Sequence, residues 1–444
     1  MESAPSISGS DDARFERFGD WILAVPNMAN PGGSIYHGGD VSTRMNAIRQ
    51  TIQYIRDNWS DYPKFMQILH DQIRSQPYAY SAKKEEQDLI DTILSTRKEW
   101  LDRQMDRPTS DNFDVVRLYT TGFGYDRIFS LLNSALRTDN LPEHNSQLQA
   151  TVFLIELLNI DLYNFLFTRP SATFQGLVFR GVSFHKDQIQ EFKNIAARPV
   201  RDRFLSVPLS MMSASSSTEV ALKFARIDAN NRTTTHQPFL WRIHVADLDP
   251  ALLRIYRDRF PTSVVTTLCA VPIHELSQFE EEKEVLLRGP FFQLIRIADE
   301  VIGGREPAIQ VMDLVMLNTN RDHPSTMELG ELQDDARKIF TCLVGMGRAA
   351  VCKRVAEKYQ LVDDVVVYGE IFDEQQKKLH ELLEATQGPG SHPDGLTPKL
   401  WDFGWSCFRD FICGFTANFQ NWSCWTRARK STLLAQKEKE MSKV

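Results

Sequence analysis

The sequence predicts an α+β protein: a helical N-terminal lobe, a strand-rich centre and a C-terminal helical extension. Two observations carry this. Between residues 41 and 170, apolar residues recur at three- and four-residue steps in RMNAIRQTIQYIRDNW, EQDLIDTILSTRKEWLDRQM, YDRIFSLLNSALR and QLQATVFLIELLNIDLYNFLF, the period of helices with one buried face. After Arg169-Pro170 the texture changes to short runs rich in β-branched and aromatic residues, FQGLVFRGV, FLWRIHVADL, SVVTTLCAVPI, KEVLLRGPFFQLIRI and AIQVMDLVML. Separated by polar turns, these read as strands of one antiparallel or mixed sheet system.

The segments follow in order. Residues 1–40 form a polar lead-in ending in the Gly- and Asn-rich NMANPGGSIYHGGD, which reads as loop. Residues 41–170 are the helical lobe and 171–324 the strand-rich core, within which SMMSASSSTEVALKFA reads as strand, turn and helix with Thr218 as the cap. Residues 325–386 form a mixed extension, in which helical patterns at 330–359 and 373–385 flank the strand-like DDVVVYGEI, and 387–399 is a Gly/Pro-rich linker. Within 400–444, Trp401, Trp405, Phe408, Ile412, Phe415, Phe419 and Trp422 draw one stripe along a helix. The first reading of that stripe is a helix docked on the body. The second is peripheral membrane contact through 401–444, with Cys407, Cys413 and Cys424 as acylation sites beside a basic tail.

Composition excludes several classes. With 51 Lys plus Arg against 58 Asp plus Glu, the formal net charge is −7, so no global field draws nucleic acid, and no nucleic-acid partner is expected. No stretch offers the roughly 18 uninterrupted apolar residues of a spanning helix; the nearest, Val152 to Phe167, carries Glu156, Asn159, Asp161 and Asn164. The first residues lack the basic start and apolar run of a secretory signal. Six scattered cysteines without a CxxC pair argue for a reducing compartment, so a cytoplasmic location is expected, with Asn58, Asn231 and Asn421 unglycosylated. No HExxH or Cys/His cluster is present, and no metal is expected.

Three short motifs in the strand-rich part carry chemistry. In EEEKEVLL, a strand entered from an acidic loop would turn Glu282 and Glu284 to one face and Lys283 to the other, with Cβ atoms roughly 7 Å apart. Such a pair can divide the work between stabilising a sugar cation and accepting a proton from a nucleophile; the plain reading is a solvated acidic turn. Arg180 follows LVF and precedes Gly181, so a strand would deliver a guanidinium suited to phosphate where backbone can approach a ligand. The alternative is a surface ion pair. Ser213 and Ser215 lie just before a helix start, where serines are commonly caps and turn formers.

Taken in order, FRG at 179–181, Ser213-Ala214-Ser215 with Ala221 and Phe224 beyond it, and Glu282-Lys283-Glu284-Val-Leu resemble the Arg, Ser-Thr-Ser and Glu-x-Glu motifs of the arginine-type mono-ADP-ribosyltransferases. LYTTGFGYDRIFSLLNSALR at 118–137 is similar to a stretch of that family's helical lobe. The resemblance covers about residues 115 to 300 and implies a two-sheet transferase core that uses NAD as substrate and modifies a protein acceptor with an exposed arginine. It implies that Arg180, with Gly181 beside it, holds the dinucleotide, that Ser213 braces the catalytic Glu284 against the nicotinamide ribose, and that Glu282 orients and deprotonates the acceptor guanidinium. Phe279 matches an aromatic of the family's acceptor-recognition loop. Ala214 replaces the family's Thr, and LLRGP with Arg288 replaces the usual Leu-Ile-Pro ending. The alternatives are an NAD glycohydrolase that uses water and an inactive NAD-binding module. Gly345-Met-Gly347-Arg-Ala-Ala350, with Asp363 and Asp364 downstream, matches a GxGxxA dinucleotide fingerprint, but the preceding DARKIFTCLV is helical where a strand is needed. The simpler reading is a helix kink or turn.

Overall fold

The structure, a computed structural model, describes most of residues 50–75, 88–95, 114–132, 145–168, 174–206, 211–230, 236–260, 269–288, 291–318 and 331–385. The lead-in, the 387–399 linker and the aromatic stripe with its membrane reading lie outside the described residues. The described part of the helical lobe includes α1 (Tyr62–Ser75), α2 (Asp114–Tyr119) and α3 (Ser146–Thr168). Helix α1 buries Phe65, Met66, Leu69 and Ile73, one stripe along its face, and packs on α3. Asn145 starts α3, its Oδ1 accepting from the amides of Gln147 (2.8 Å) and Leu148 (3.2 Å).

The remaining elements are β1 (Gly176–His185), α4 (Lys186–Ala196), β2 (Phe204–Ser206), β3 (Met211–Ser215), α5 (Thr218–Asn230), β4 (His236–Ala246), α6 (Pro250–Arg259), β5 (Ala270–Pro272), β6 (Glu284–Arg288), β7 (Phe291–Ile302), β8 (Arg305–Leu317), α7 (Glu331–Lys358) and α8 (Val362–Ala385). The strands join in one eight-stranded mixed sheet, ordered β2-β7-β8-β4-β1-β3-β6-β5, antiparallel except for β4 beside β8. In place of two separate sheets there is one strand order with a seam: β1 and β3 share a single residue pair, Phe179 with Ser215, against ten between β1 and β4. The sheet cannot be flat. Strands β6 and β7 are joined by two residues but stand five positions apart in the order. A flat sheet would separate them by about 24 Å, while that link reaches only about 11 Å.

The described strands within KEVLLRGPFFQLIRI are β6 and β7, and of SVVTTLCAVPI only Ala270–Pro272 is a described strand. Alternation along the strands sorts the two faces. Val178, Trp241, Ile243, Met312 and Leu314 share one cluster with Phe192 of α4, whose ring stacks on Phe239 at 5.7 Å and meets Trp241 edge-on at 5.9 Å. On the other face, Phe179, Leu240 and Val311 pack against α5, and Ile295, Val315 and Leu317 pack against α6, α7 and α8.

At Gly181, α5 lies hard against the sheet. A Cβ there would stand 1.6 Å from the carbonyl oxygen of Ala221 and 2.8 Å from the amide of Ala225. The expected close approach of backbone at Gly181 is therefore made by a helix of the protein itself. Gly181→Val is expected to destabilise the fold by about 3 kcal/mol, read by urea denaturation, because backbone rather than a flexible side chain must move. An unchanged midpoint would contradict this packing.

Two expectations for the extension are corrected. DDVVVYGEI is not a strand but the first part of α8. Its apolar residues belong to a longer stripe, Leu361, Val365, Tyr368, Phe372 and Leu379, spaced by four, three, four and seven and packed into the α7 cluster. Asp363 and Asp364 in the first turn complement the helix dipole, and the left-handed Gln360 (φ 57°) separates α7 from α8. Burial of a whole stripe outweighs the weak strand preference of three valines. Likewise Gly345 and Gly347, read as a helix kink or turn, both lie inside α7, facing Gln375 and Leu248 respectively. Asp364 pairs with Arg203 at 2.8 Å.

Candidate functional site

The site forms at the seam. Strand β1 carries Arg180, half-buried, whose Nη1 donates to the carbonyl of Ser213 at 2.5 Å. Loss of pairing after Phe179–Ser215 leaves that carbonyl free to accept from a side chain. Strand β3 pairs with β6 so that Ser215 faces Glu284 and Ser213 faces Leu286, which puts both serines and Glu284 on one face of the two strands. The hydroxyl of the buried Tyr119, the last residue of α2, lies 3.3 Å from Ser213 Oγ.

Glu284 is half-buried and closely surrounded by protein. Burial pushes its carboxyl up to about 7; the Ser213 hydroxyl opposes this, the nearby Glu282 adds to it and Arg180 opposes it. Arg180, Ser213 and Glu284 therefore meet within one electrostatic neighbourhood. Glu282 is also raised, first by burial and then by Glu281, with Lys223 opposing.

The expected geometry of the Glu-x-Glu pair is corrected. Glu282 is not on the strand: it closes a 3-10 turn, Glu280–Glu282, and the left-handed Lys283 (φ 48°) intervenes before β6 begins at Glu284. The two carboxylates are brought together by a turn and a left-handed residue rather than by strand alternation. Ser215 fixes that turn, donating to the Glu282 carbonyl at 2.5 Å while accepting from the Ser217 amide at 2.9 Å. The Ser216 amide donates to the Lys283 carbonyl at 3.1 Å. The cap expected at Thr218 falls one residue earlier, since Ser217 O accepts the first helical bond, from Ala221. Phe279 is half-buried just before the turn, its ring 3.6 Å from where a Cβ of Gly122 would sit.

Among the described residues no group of three or more His, Cys, Asp or Glu side chains could hold a metal ion, and no helix is long and apolar enough to cross a membrane. Cys269, Cys342 and Cys352 are buried, and burial raises the thiols of Cys342 and Cys352.

No family model matches the chain, and no curated protein matches it. Solved structures do. The type III effector XopAI from Xanthomonas axonopodis pv. citri, in a form lacking 70 N-terminal residues, aligns over 61% of this chain and 97% of its own at 13% identity, with a TM-score of 0.34. Plx2a, an ADP-ribosyltransferase toxin from Paenibacillus larvae, aligns over 52% of this chain and 96% of its own at 14% identity, TM-score 0.27. An ADP-ribosyltransferase from Clostridium botulinum aligns over 55% of this chain and 100% of its own at 11% identity, TM-score 0.27. Likenesses of this degree leave the functional argument with the side chains themselves.

Sequence reasoning treated Ser215 as a turn former and gave Tyr119 no role at the site. The Ser-x-Ser spacing held the signal for Ser215, because on a strand it turns both hydroxyls to one face. Nothing local to α2 announces that its last residue reaches a strand 94 positions away.

Proposed function

We propose that the chain transfers ADP-ribose from NAD to arginine side chains of a protein acceptor, releasing nicotinamide. The observation that supports this reading is the meeting of Arg180, Ser213 and Glu284, far apart in sequence, at the seam where β1 and β3 share a single residue pair. Nicotinamide leaves as a neutral group from a cationic one, so its departure needs little protonation. What the protein supplies is position and charge for a sugar that becomes cationic at C1. Arg180 offers a fixed guanidinium for the dinucleotide phosphates. Glu284, braced by Ser213, accepts from the ribose 2′-hydroxyl and stabilises the developing cation, and the reading needs no metal. Glu282 orients the incoming guanidinium and takes its proton, the acid on the turn addressing the acceptor and the acid on the strand addressing the sugar. Gly181 serves by letting α5 seat against β1 beside Arg180, and Phe279 flanks the acceptor.

Incubation with NAD and agmatine, a minimal guanidinium acceptor, is expected to yield nicotinamide and an ADP-ribosylated agmatine adduct by mass. Glu282→Gln is expected to lower adduct formation about a hundredfold while changing hydrolysis of NAD much less, because only the guanidinium needs a general base of this placement. Nicotinamide release without adduct would make the protein a glycohydrolase; no release at all would sink the reading.

A further inference from the structure

We infer that the helical lobe latches the acceptor loop, residues 273–283, and that Gln278 is a positioning residue that favours a guanidinium over water as acceptor. This rests on the reading of the site given above. The loop joins β5 to β6 through two 3-10 turns, His274–Leu276 and Glu280–Glu282. The lobe touches it at three successive points. The Thr120 hydroxyl, shared with the Arg117 carbonyl at 3.0 Å, reaches the Leu276 carbonyl at 3.4 Å. The Gly122 amide donates to Gln278 Oε1 at 3.1 Å. The Phe279 ring packs over Gly122.

The lobe side of this contact is stiff. The Thr121 hydroxyl donates to the Leu118 carbonyl at 2.8 Å and accepts from the Gly124 amide at 2.8 Å. Gly124 is folded so tightly that a Cβ would stand 1.6 Å from the Leu118 carbonyl oxygen. Upstream, the fully buried carboxylate of Asp161 on α3 accepts from the amides of Val115 (2.9 Å) and Val116 (3.2 Å), pinning the start of α2. This accounts for a fully buried acid within α3. A rigid turn thus holds Phe279 from one side while Ser215 holds Glu282 from the other.

A hydrogen bond worth about 1 kcal/mol net shifts a local equilibrium by about fivefold. Gln278→Ala is therefore expected to lower the ratio of agmatine adduct to free ADP-ribose about fivefold, with the KM for NAD and the rate of nicotinamide release unchanged. Gln278→Glu keeps an acceptor for the Gly122 amide and is expected to restore the ratio. In a second measurement, amide hydrogen exchange across 273–283 and at Gly122 is expected to quicken in Gln278→Ala and not in Gln278→Glu. A wild type that turns NAD over with a partition indifferent to Gln278→Ala overturns the latch and leaves the reading of the site standing. A wild type that releases no nicotinamide overturns that reading and the acceptor role together, and the exchange rates alone then decide whether the loop is latched.

Discussion

Glu284→Gln is expected to cut nicotinamide release by at least a hundredfold and, at neutral pH, to make the protein more stable. On the proposed function, the first effect follows from removing the charge that would face the developing sugar cation; one preorganised contact of that kind is worth about 3 kcal/mol, a factor of about a hundred in rate. The second follows from linkage. The Glu284 carboxyl is raised to about 7 from an ordinary 4.5, so the folded state holds a proton that the unfolded state gives up between those two values. Wild-type stability from this group therefore falls as pH rises from about 4.5 to about 7 and is level above that, the total reaching at most about 3 kcal/mol. Glutamine does not titrate, so the gap in melting temperature between variant and wild type should open across that window. A gap independent of pH would contradict the burial of the carboxylate, and a variant with ordinary turnover would remove Glu284 from the chemistry. For the wild type, kcat/KM should rise with pH through about 7, since the reactive form is the carboxylate. Bound NAD brings a positive nicotinamide ring that favours the ionised form, so the corresponding rise in kcat should lie at lower pH.

Much of this was legible because period and chemistry agree locally. Strands β1, β4 and β8 stand where β-branched runs lie between polar turns, and a guanidinium, a hydroxyl and a carboxylate could be named from short motifs. What could not be read is what depends on distant partners. DDVVVYGEI has the composition of a strand, and only the stripe that continues to Leu379 reveals a helix. Glu282 and Glu284 sit two apart, as on a strand, but the left-handed Lys283 replaces alternation by a turn. The role of Asp161 is invisible along α3, because the amides it holds belong to a helix 45 residues earlier. In each case the deciding term is tertiary: a buried face, a carbonyl accepting from a remote serine, or two amides that need an acceptor.

Asp313→Ala is expected to cost about 3–5 kcal/mol of unfolding free energy, the largest loss of stability from one substitution in the sheet. Asp313 on β8 is 0% exposed. Its Oδ1 accepts from Arg242 Nε at 2.6 Å and from the Tyr359 hydroxyl at 2.8 Å, and its Oδ2 from Arg242 Nη2 and Arg296 Nε, each at 2.9 Å. Glu300 accepts from Arg242 Nη1 at 2.8 Å and from Nη2, which it shares with Asp313, at 2.9 Å, and pairs with Arg296. The Tyr359 ring lies 3.6 Å beneath the Arg296 guanidinium. Burial acts to raise the Asp313 carboxyl, but His244, Arg242 and Tyr359 together hold it down to about 2. The stability it contributes is therefore fully present above about pH 4 and lost as pH falls toward 2. Alanine would leave two guanidinium groups facing each other with Glu300 alone between them, and breaking one side of a buried pair costs far more than the pair is worth. Because Tyr359 follows directly on α7, the same substitution should loosen α7 from the sheet, with hydrogen exchange quickening first in β8 and α7. Replacing Asp313, Glu300, Arg242 and Arg296 together by leucine and methionine should recover most of the loss, since no charge of the network is then left unpaired. A single Asp313→Ala variant within 1 kcal/mol of wild type at pH 7 would mean that water reaches this network and that α7 is held by its apolar face alone.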